Sequence, residues 1–201
     1  MKQRNFEREL PEGYRQVCYI NAQNAKFGII FNLIAIAVCA VVVFAAFGVA
    51  YLFAEKSSSD ISGTSMLILI WATLAVMVIY LVLHELVHGI AYKSLTGEKL
   101  TFGLSWSCAF CGVPNIYTYR KTSIIASAAP LTVFSVVFCA LCAVLFYVNI
   151  WYFYAAAFLL GMHLGGCSGD IYMLILMAKY KDPRLLVRDT GPAQTFYMPE
   201  E

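Results

Sequence analysis

The chain has 201 residues, of which 61% are hydrophobic and only 13% are charged. Soluble domains have about 45–50% apolar and about 25% charged residues, so this composition excludes soluble globular, disordered and disulfide-stapled proteins and indicates an integral membrane protein. The formal net charge of +2 is too small to predict binding to nucleic acid.

Four transmembrane helices are predicted, because a spanning helix needs about 20 apolar residues. They cover residues 27–54, 65–92, 123–147 and 153–178. The last two share one apolar run and are separated by a turn at 148–152, where Asn149 and Trp151 suit a membrane interface. A cleaved signal peptide is not expected, because the first apolar run is longer than an h-region of about 7–15 residues.

Lys and Arg are distributed unequally between the predicted loops. Thirteen lie in segments 1–26, 93–122 and 179–201, whereas the first loop holds only Lys56 and the turn at 148–152 holds none. Loops rich in Lys and Arg face the cytoplasm. The N-terminal segment, the loop 93–122 and the C-terminal tail are therefore predicted to be cytoplasmic.

The loop 93–122 differs from the other connections in its composition. Leu100–Leu104 and Ile116–Tyr119 have strand-like content and are flanked by Gly and Pro residues. The tail after Asp182 and Pro183 contains Gly191, Pro192 and Pro199 and is predicted to be irregular. The predicted fold is an all-α membrane protein of four transmembrane helices, with a small cytoplasmic β-hairpin between the second and third helices.

Ionisable side chains inside a bilayer are costly and usually functional. Five acidic or histidine residues fall within the predicted spans, and they include all three histidines of the chain. These residues are His84, Glu85, His88, His163 and Asp170.

His84, Glu85 and His88 form an HExxH motif. Residues four apart share one face of a helix, so both imidazoles can bind one metal ion. Glu85 lies about 100° further round, where its carboxylate can meet an activated water. Chance predicts only about 0.002 such motifs in this composition. The alternative is a set of polar residues that packs helices together, but the span holds no basic partner for them.

Asp170 is the candidate third ligand, since catalytic zinc sites usually have three protein ligands. Asp170 lies nine residues before Lys179, and His84 lies nine before Lys93. At about 1.5 Å per residue, both lie about 14 Å inside the cytoplasmic boundary. The alternative is a structural carboxylate that accepts hydrogen bonds from the second helix.

His163 lies about 10 Å deeper than Asp170 on the predicted fourth helix. Gly161, Gly165, Gly166 and Gly169 surround it, and a local break in the helix there would let His163 position a substrate carbonyl or an oxyanion. The alternative is an interhelical histidine whose nitrogens are hydrogen-bonded to neighbouring helices.

Two further motifs lie outside this set of ionisable residues. Pro130 lies in the stretch SAAPL near the start of the third helix, at a depth similar to that of the candidate metal ligands, and its small neighbours permit close helix packing. A direct role at the site is the alternative. Cys108 and Cys111 form a CxxC motif without a second pair, and no function is assigned to it.

The motifs HELVHG, SAAPL and GCSGDIY, with LPEGY at 10–14 and VRDTG at 187–191, resemble those of a group of bacterial membrane zincin peptidases. This group is similar in layout to site-2 intramembrane metalloproteases. The resemblance implies a zinc ion held by His84, His88 and Asp170, with Glu85 as the catalytic base. Site-2 proteases typically carry an Asn-Pro stretch that leads into Leu-Asp-Gly. This chain instead has Gly-Asp-Ile around Asp170, and His163 falls near the position of the Asn.

The expected function is that of a zinc-dependent membrane-embedded peptidase that hydrolyses peptide bonds within or next to transmembrane segments. Its expected partners are membrane lipid and a transmembrane or membrane-proximal protein substrate, in a multi-pass protein of the bacterial cell membrane. One alternative is a non-catalytic metal-binding membrane adaptor. A metal or proton transporter is a further alternative, which is disfavoured because the polar groups cluster in one half of the span.

Overall fold

The computed structural model describes residues 5–53, 57–105 and 109–200. Within these ranges the chain forms five helices and seven strands. The helices are α1 Ala25–Phe53, α2 Gly63–Thr96, α3 Arg120–Val148, α4 Ile150–Gly166 and α5 Ser168–Lys179. The strands are β1 Phe6–Glu7, β2 Tyr14–Asn21, β3 Thr101–Leu104, β4 Ala109–Gly112, β5 Tyr117–Tyr119, β6 Leu186–Asp189 and β7 Ala193–Pro199.

The four predicted helices correspond to α1, α2, α3 and the consecutive pair α4 and α5. Each of α1, α2 and α3 is long and apolar enough to cross a membrane, whereas α4 and α5 reach that length only together. The pair is interrupted at Cys167, whose N–H donates to the carbonyl of His163. The described residues therefore contain three candidate spans, or four if the interrupted pair is counted as one.

The fold is mostly helical, as predicted, but it is not all-α, because the segments outside the long helices form an antiparallel sheet of five strands in the order β1-β5-β6-β7-β2. The prediction of an irregular tail is wrong. Gly191 has a φ of +96° and lies with Pro192 in a tight turn that reverses the chain between β6 and β7. These residues thus connect two strands instead of ending the ordered structure.

The expected hairpin in the loop 93–122 is present, but its second strand differs from the prediction. β3 pairs with β4, with Thr101 opposite Gly112 and Leu104 opposite Ala109. Residues 117–119 instead form β5 of the larger sheet and pair with β6. The division occurs at Val113, whose N–H donates to the carbonyl of Asp189 in β6 and so directs the chain from the hairpin to the sheet.

The chain forms two compact units, and the first comprises residues up to 30, 82–130 and from 169 onwards. This unit contains both sheets, the C-terminal part of α2, the start of α3 and most of α5. One core cluster includes Met177, Leu185 and Phe196, which are fully buried, and a second includes Val113 and Ile116. Both clusters hold helix ends against strands by apolar packing.

The second unit comprises residues 31–81 and 131–168 and is helical where the structure describes it. Two glycines of α4 lie directly against α1. A Cβ atom on Gly165 would lie 2.5 Å from the carbonyl oxygen of Ala35, and one on Gly161 would lie 3.0 Å from Cα of Cys39. The missing side chains therefore let the two helix backbones approach closely.

Candidate metal centre

His84 and His88 lie on one face of α2 in the first unit, as the HExxH spacing predicts. Their ring centroids are 5.0 Å apart and their planes are inclined at 77°. Both residues are buried, with 8% of their surface exposed. The two imidazoles thus present nitrogen atoms to a small shared space at the side of α2.

Asp170 lies in the first turn of α5, where the helix dipole favours a negative charge. Its Oδ2 atom is 3.2 Å from Nε2 of His84, and its Oδ1 atom is 3.2 Å from Nε2 of His88. Each carboxylate oxygen therefore faces a different imidazole. The structure brings together the three residues that were predicted to be metal ligands, although their role as ligands stays a prediction.

The distances between these donor atoms suit a zinc ion. Histidine nitrogens lie about 2.0–2.1 Å and carboxylate oxygens about 2.0–2.2 Å from zinc in a tetrahedral site, which puts neighbouring donor atoms about 3.3–3.5 Å apart. The two nitrogen–oxygen distances of 3.2 Å agree with that separation. Two imidazoles and one carboxylate are also a donor set found in catalytic zinc sites, so the residues present fit the metal.

The second ring nitrogen of His88 explains how its Nε2 atom is directed. Nδ1 lies 2.8 Å from the carbonyl oxygen of Ala126 in α3. A carbonyl can only accept, so Nδ1 carries the hydrogen and Nε2 of the neutral ring presents a lone pair to Asp170. Two lone pairs that face each other repel unless a cation or a second proton lies between them. This arrangement is typical of a histidine that is oriented to bind a metal.

Glu85 lies beside the two imidazoles and is partly buried. One carboxylate oxygen of Glu85 and one nitrogen of each histidine all lie within 4.8 Å of one another, so Glu85 is close enough to be an alternative third ligand. Asp170 is the better candidate, because it faces both imidazoles at 3.2 Å. Glu85 then remains available for proton transfer.

A buried hydrogen-bond network lies near the end of α2, one turn beyond His88. The hydroxyl of Tyr92 donates to Oδ2 of Asp189 at 2.8 Å, while the N–H of Gly191 and Nε2 of Gln194 donate to Oδ1 at 2.8 Å and 3.3 Å. Burial raises the pKa of Asp189 above its ordinary value, although these hydrogen bonds oppose the shift. The network fastens the helix that carries the HExxH motif to the sheet.

Sequence reasoning gave Asp189 no role. This residue lies in the VRDTG stretch, which contributed only to the family resemblance, within a tail that was predicted to be irregular. The carbonyl of Ala126 was missed as well, since a backbone acceptor has no signature in the residue type. A signal was present for the carbonyl, because a proline four residues later in a helix leaves a carbonyl without its donor.

His163 is fully buried in the second unit. Its Nδ1 atom lies 2.8 Å from the hydroxyl of Tyr80, and its Nε2 atom lies 3.1 Å from Oγ of Ser135. The rings of Phe134 and Phe138 pack against it. These contacts are the ones expected of an interhelical histidine, and the predicted role in positioning substrate stays a prediction.

The CxxC motif can be described only in part, because Cys108 lies outside the described residues. Cys111 is buried in β4, and burial raises the pKa of its thiol to about 12. Only the thiolate is a good nucleophile or metal ligand. Cys111 therefore behaves as a packing residue at neutral pH.

The sequence model of a family described as "putative zincin peptidase" matches residues 76–184. This range includes His84, Glu85, His88, His163 and Asp170. No curated protein and no solved structure matches the chain. Zincins use zinc held by an HExxH helix, which agrees with the donor set described above. Because the match covers more than half of the 201 residues, the chain is a member of this zincin peptidase family.

Proposed function

We propose that this protein is a zinc-dependent, membrane-embedded peptidase that hydrolyses peptide bonds within or next to transmembrane segments. The observation that carries the proposal is the carboxylate of Asp170, which faces His84 and His88 at 3.2 Å with Glu85 beside them. Membership of a zincin family supports a metallopeptidase with this donor set.

Location in the membrane is supported by the surface of the long helices. In the most apolar stretch of α2 only 6% of the residues are buried. Large side chains are strongly exposed on both helices, with Trp71 of α2 at 70% and Phe44 of α1 at 75%. An apolar surface of this extent is stable against lipid and unstable against water. The excess of Lys and Arg in segments 1–26, 93–122 and 179–201 supports a cytoplasmic location for both termini.

The side chains of the centre divide the chemistry of hydrolysis between them. When bound, zinc supplies Lewis-acid chemistry, which polarises a peptide carbonyl and acidifies water. Glu85 accepts the proton from the water that attacks the carbonyl carbon and then donates it to the leaving amine. His88 is held by the carbonyl of Ala126, so its Nε2 atom stays directed at Asp170.

Binding of a helical substrate requires local unwinding, because the carbonyls of an α-helix accept hydrogen bonds from residues four positions later. The β3–β4 hairpin is the proposed binding element for the unwound segment. The ring of Phe102 in β3 covers Gly89, where its Cζ atom would lie 2.6 Å from an added Cβ, so the hairpin lies against α2 next to His88. Among the described strands β3 pairs only with β4, and its other edge can bind an extended chain by β-addition.

The proposal is tested with Glu85→Gln, with Glu98→Gln as the matched control. Glu98 is partly exposed, and its carboxylate pairs with the exposed Arg8 at 2.9 Å. In detergent micelles, zinc content and cleavage of fluorescein-labelled casein are measured for both variants. We expect Glu85→Gln to retain zinc and to lose cleavage about 10²–10⁴-fold, while Glu98→Gln retains both. Full cleavage by Glu85→Gln contradicts the peptidase, and zinc-loaded wild type without cleavage favours the adaptor.

A further inference from the structure

Pro130 changes the hydrogen bonding inside α3. This residue lies within the helix Arg120–Val148 and has no backbone N–H. In an α-helix the N–H of residue 130 would donate to the carbonyl of residue 126. Pro130 therefore deprives the carbonyl of Ala126 of its usual helical donor.

Ala126 is completely buried, so its carbonyl is shielded from water. A buried carbonyl without a donor is unfavourable, because it loses its hydrogen bond to water without a replacement. The Nδ1–H of His88 donates to this carbonyl at 2.8 Å and satisfies it. The same bond determines which nitrogen of His88 keeps the lone pair, because a ring that donates through Nδ1 has Nε2 available.

We propose that Pro130 is a positioning residue for the metal centre. By removing one N–H from α3 it leaves the carbonyl of Ala126 to His88, and this bond directs Nε2 of His88 towards Asp170. The inference rests on the proposed binding of zinc by His84, His88 and Asp170. It assigns to the SAAPL stretch a function beyond helix packing.

The expected effect of restoring the N–H follows from the carbonyl itself. A carbonyl oxygen has two lone pairs, so a helical N–H at position 130 would compete with His88 without excluding it. We therefore expect the hydrogen bond of His88 to weaken and not to disappear. Loss of such an outer partner of a metal-binding histidine typically lowers metal affinity by about 10–100-fold, and the lower end of that range is expected here.

The first measurement is the zinc affinity of Pro130→Ala, with Leu131→Ala as the matched control. Leu131 is the next residue of α3, and its substitution removes packing while Pro130 and the carbonyl of Ala126 stay in place. Purified protein in detergent micelles is titrated with zinc in competition with a chromophoric chelator. We expect about tenfold weaker binding for Pro130→Ala and unchanged binding for Leu131→Ala. Equal affinities of Pro130→Ala and wild type would overturn the inference.

The second measurement separates positioning from packing. The chain has only three histidines, so ¹⁵N-histidine labelling gives few signals, and those of His88 are assigned with His88→Gln. In Pro130→Ala we expect the Nδ1–H resonance of His88 to move upfield as its hydrogen bond weakens. Weaker zinc binding without such a move would assign Pro130 to packing and overturn the inference.

Metal-free wild type provides a readout that depends on neither the variant nor zinc. We expect Nδ1 of His88 to carry a hydrogen in that state, whether or not Nε2 is also protonated, and an Nδ1 atom without hydrogen would overturn the inference even if Pro130→Ala did not fold. Failure of the proposed function is distinct, because it appears as wild type that binds no zinc at this site.

Discussion

The hydroxyl of Tyr92 donates a 2.8 Å hydrogen bond to Oδ2 of Asp189, which joins the end of α2 to β6. Tyr119 donates a bond of the same length to Oε1 of Glu7. Both bonds join a phenol to a carboxylate. They differ in burial, because Tyr92 and Asp189 are 3% and 6% exposed while Tyr119 and Glu7 are only partly buried.

The first prediction compares Tyr92→Phe with Tyr119→Phe. Loss of the Tyr92 hydroxyl leaves a buried carboxylate with one donor fewer, which should lower the free energy of unfolding by about 1.5–3 kcal/mol. Tyr119→Phe should have a smaller effect, because water can replace the lost donor to Glu7. Thermal unfolding in detergent micelles measures both changes. Equal losses of stability would contradict the importance of burial for the Tyr92–Asp189 bond.

The pH dependence of stability follows from the raised pKa of Asp189. Burial is the main cause of the shift, so the folded protein retains the carboxyl proton to a higher pH than the unfolded chain, whose ordinary pKa is 3.8. Between these two pKa values the folded state binds more protons, and stability decreases as the pH rises. The contribution of the protonated Asp189 is therefore complete below pH 3.8 and is lost as the pH passes the folded pKa.

Asp189→Asn tests this sign, since an amide does not titrate. We expect the unfolding free energy of wild type to decrease relative to that of Asp189→Asn as the pH is raised from about 3.8. The measurements use metal-free protein, so that metal binding does not contribute to the difference in unfolding free energy. The raised pKa would be contradicted if the difference in unfolding free energy did not depend on pH, or if wild type gained stability relative to Asp189→Asn as the pH rose.

The proposed ligands predict the metal content of single variants. Wild type should bind about one zinc per chain, and His84→Ala and Asp170→Ala should bind almost none, because a catalytic zinc site needs three protein ligands. Asp182→Asn is the control, since that carboxylate pairs with Arg184 at 2.8 Å in the tail. Elemental analysis after dialysis measures the stoichiometry. Unchanged zinc in both His84→Ala and Asp170→Ala would end the assignment of the centre.

Replacing two adjacent glycines of α4 by alanine should have different effects on the stability of the protein. At Gly165 an added Cβ would meet the carbonyl oxygen of Ala35 at 2.5 Å, so Gly165→Ala should destabilise the protein by about 1–3 kcal/mol. At Gly166 nothing lies within 4 Å of such an atom, and Gly166→Ala should be neutral or gain up to about 1 kcal/mol of helix propensity. Unfolding in detergent compares them, and equal effects would contradict the close approach of α4 to α1.

The long helices were predictable because each one reads as a continuous apolar run in the sequence. The five-stranded sheet was not, because its strands are short and pair across the whole chain. β1 has two residues, and Phe6 pairs with Thr118. Leu186 and Val187 of β6 are both fully buried, so that strand lacks the alternation of a half-exposed strand.

The side chains of the candidate site could be predicted from the sequence, whereas the contacts that orient them could not. The HExxH spacing indicates His84, Glu85 and His88, and equal depth within two helices indicates Asp170. The backbone partner of His88 and the network around Asp189 depend on tertiary contacts, which a single sequence does not encode as a local pattern.

The position of β7 inside the sheet has a consequence for biosynthesis. β7 pairs with β6 on one side and with β2 on the other, so β2 acquires its partner strand only when residues 193–199 have left the ribosome. His84 and His88 are made long before Asp170. A premature stop before β7 would therefore remove an inner strand and open the sheet.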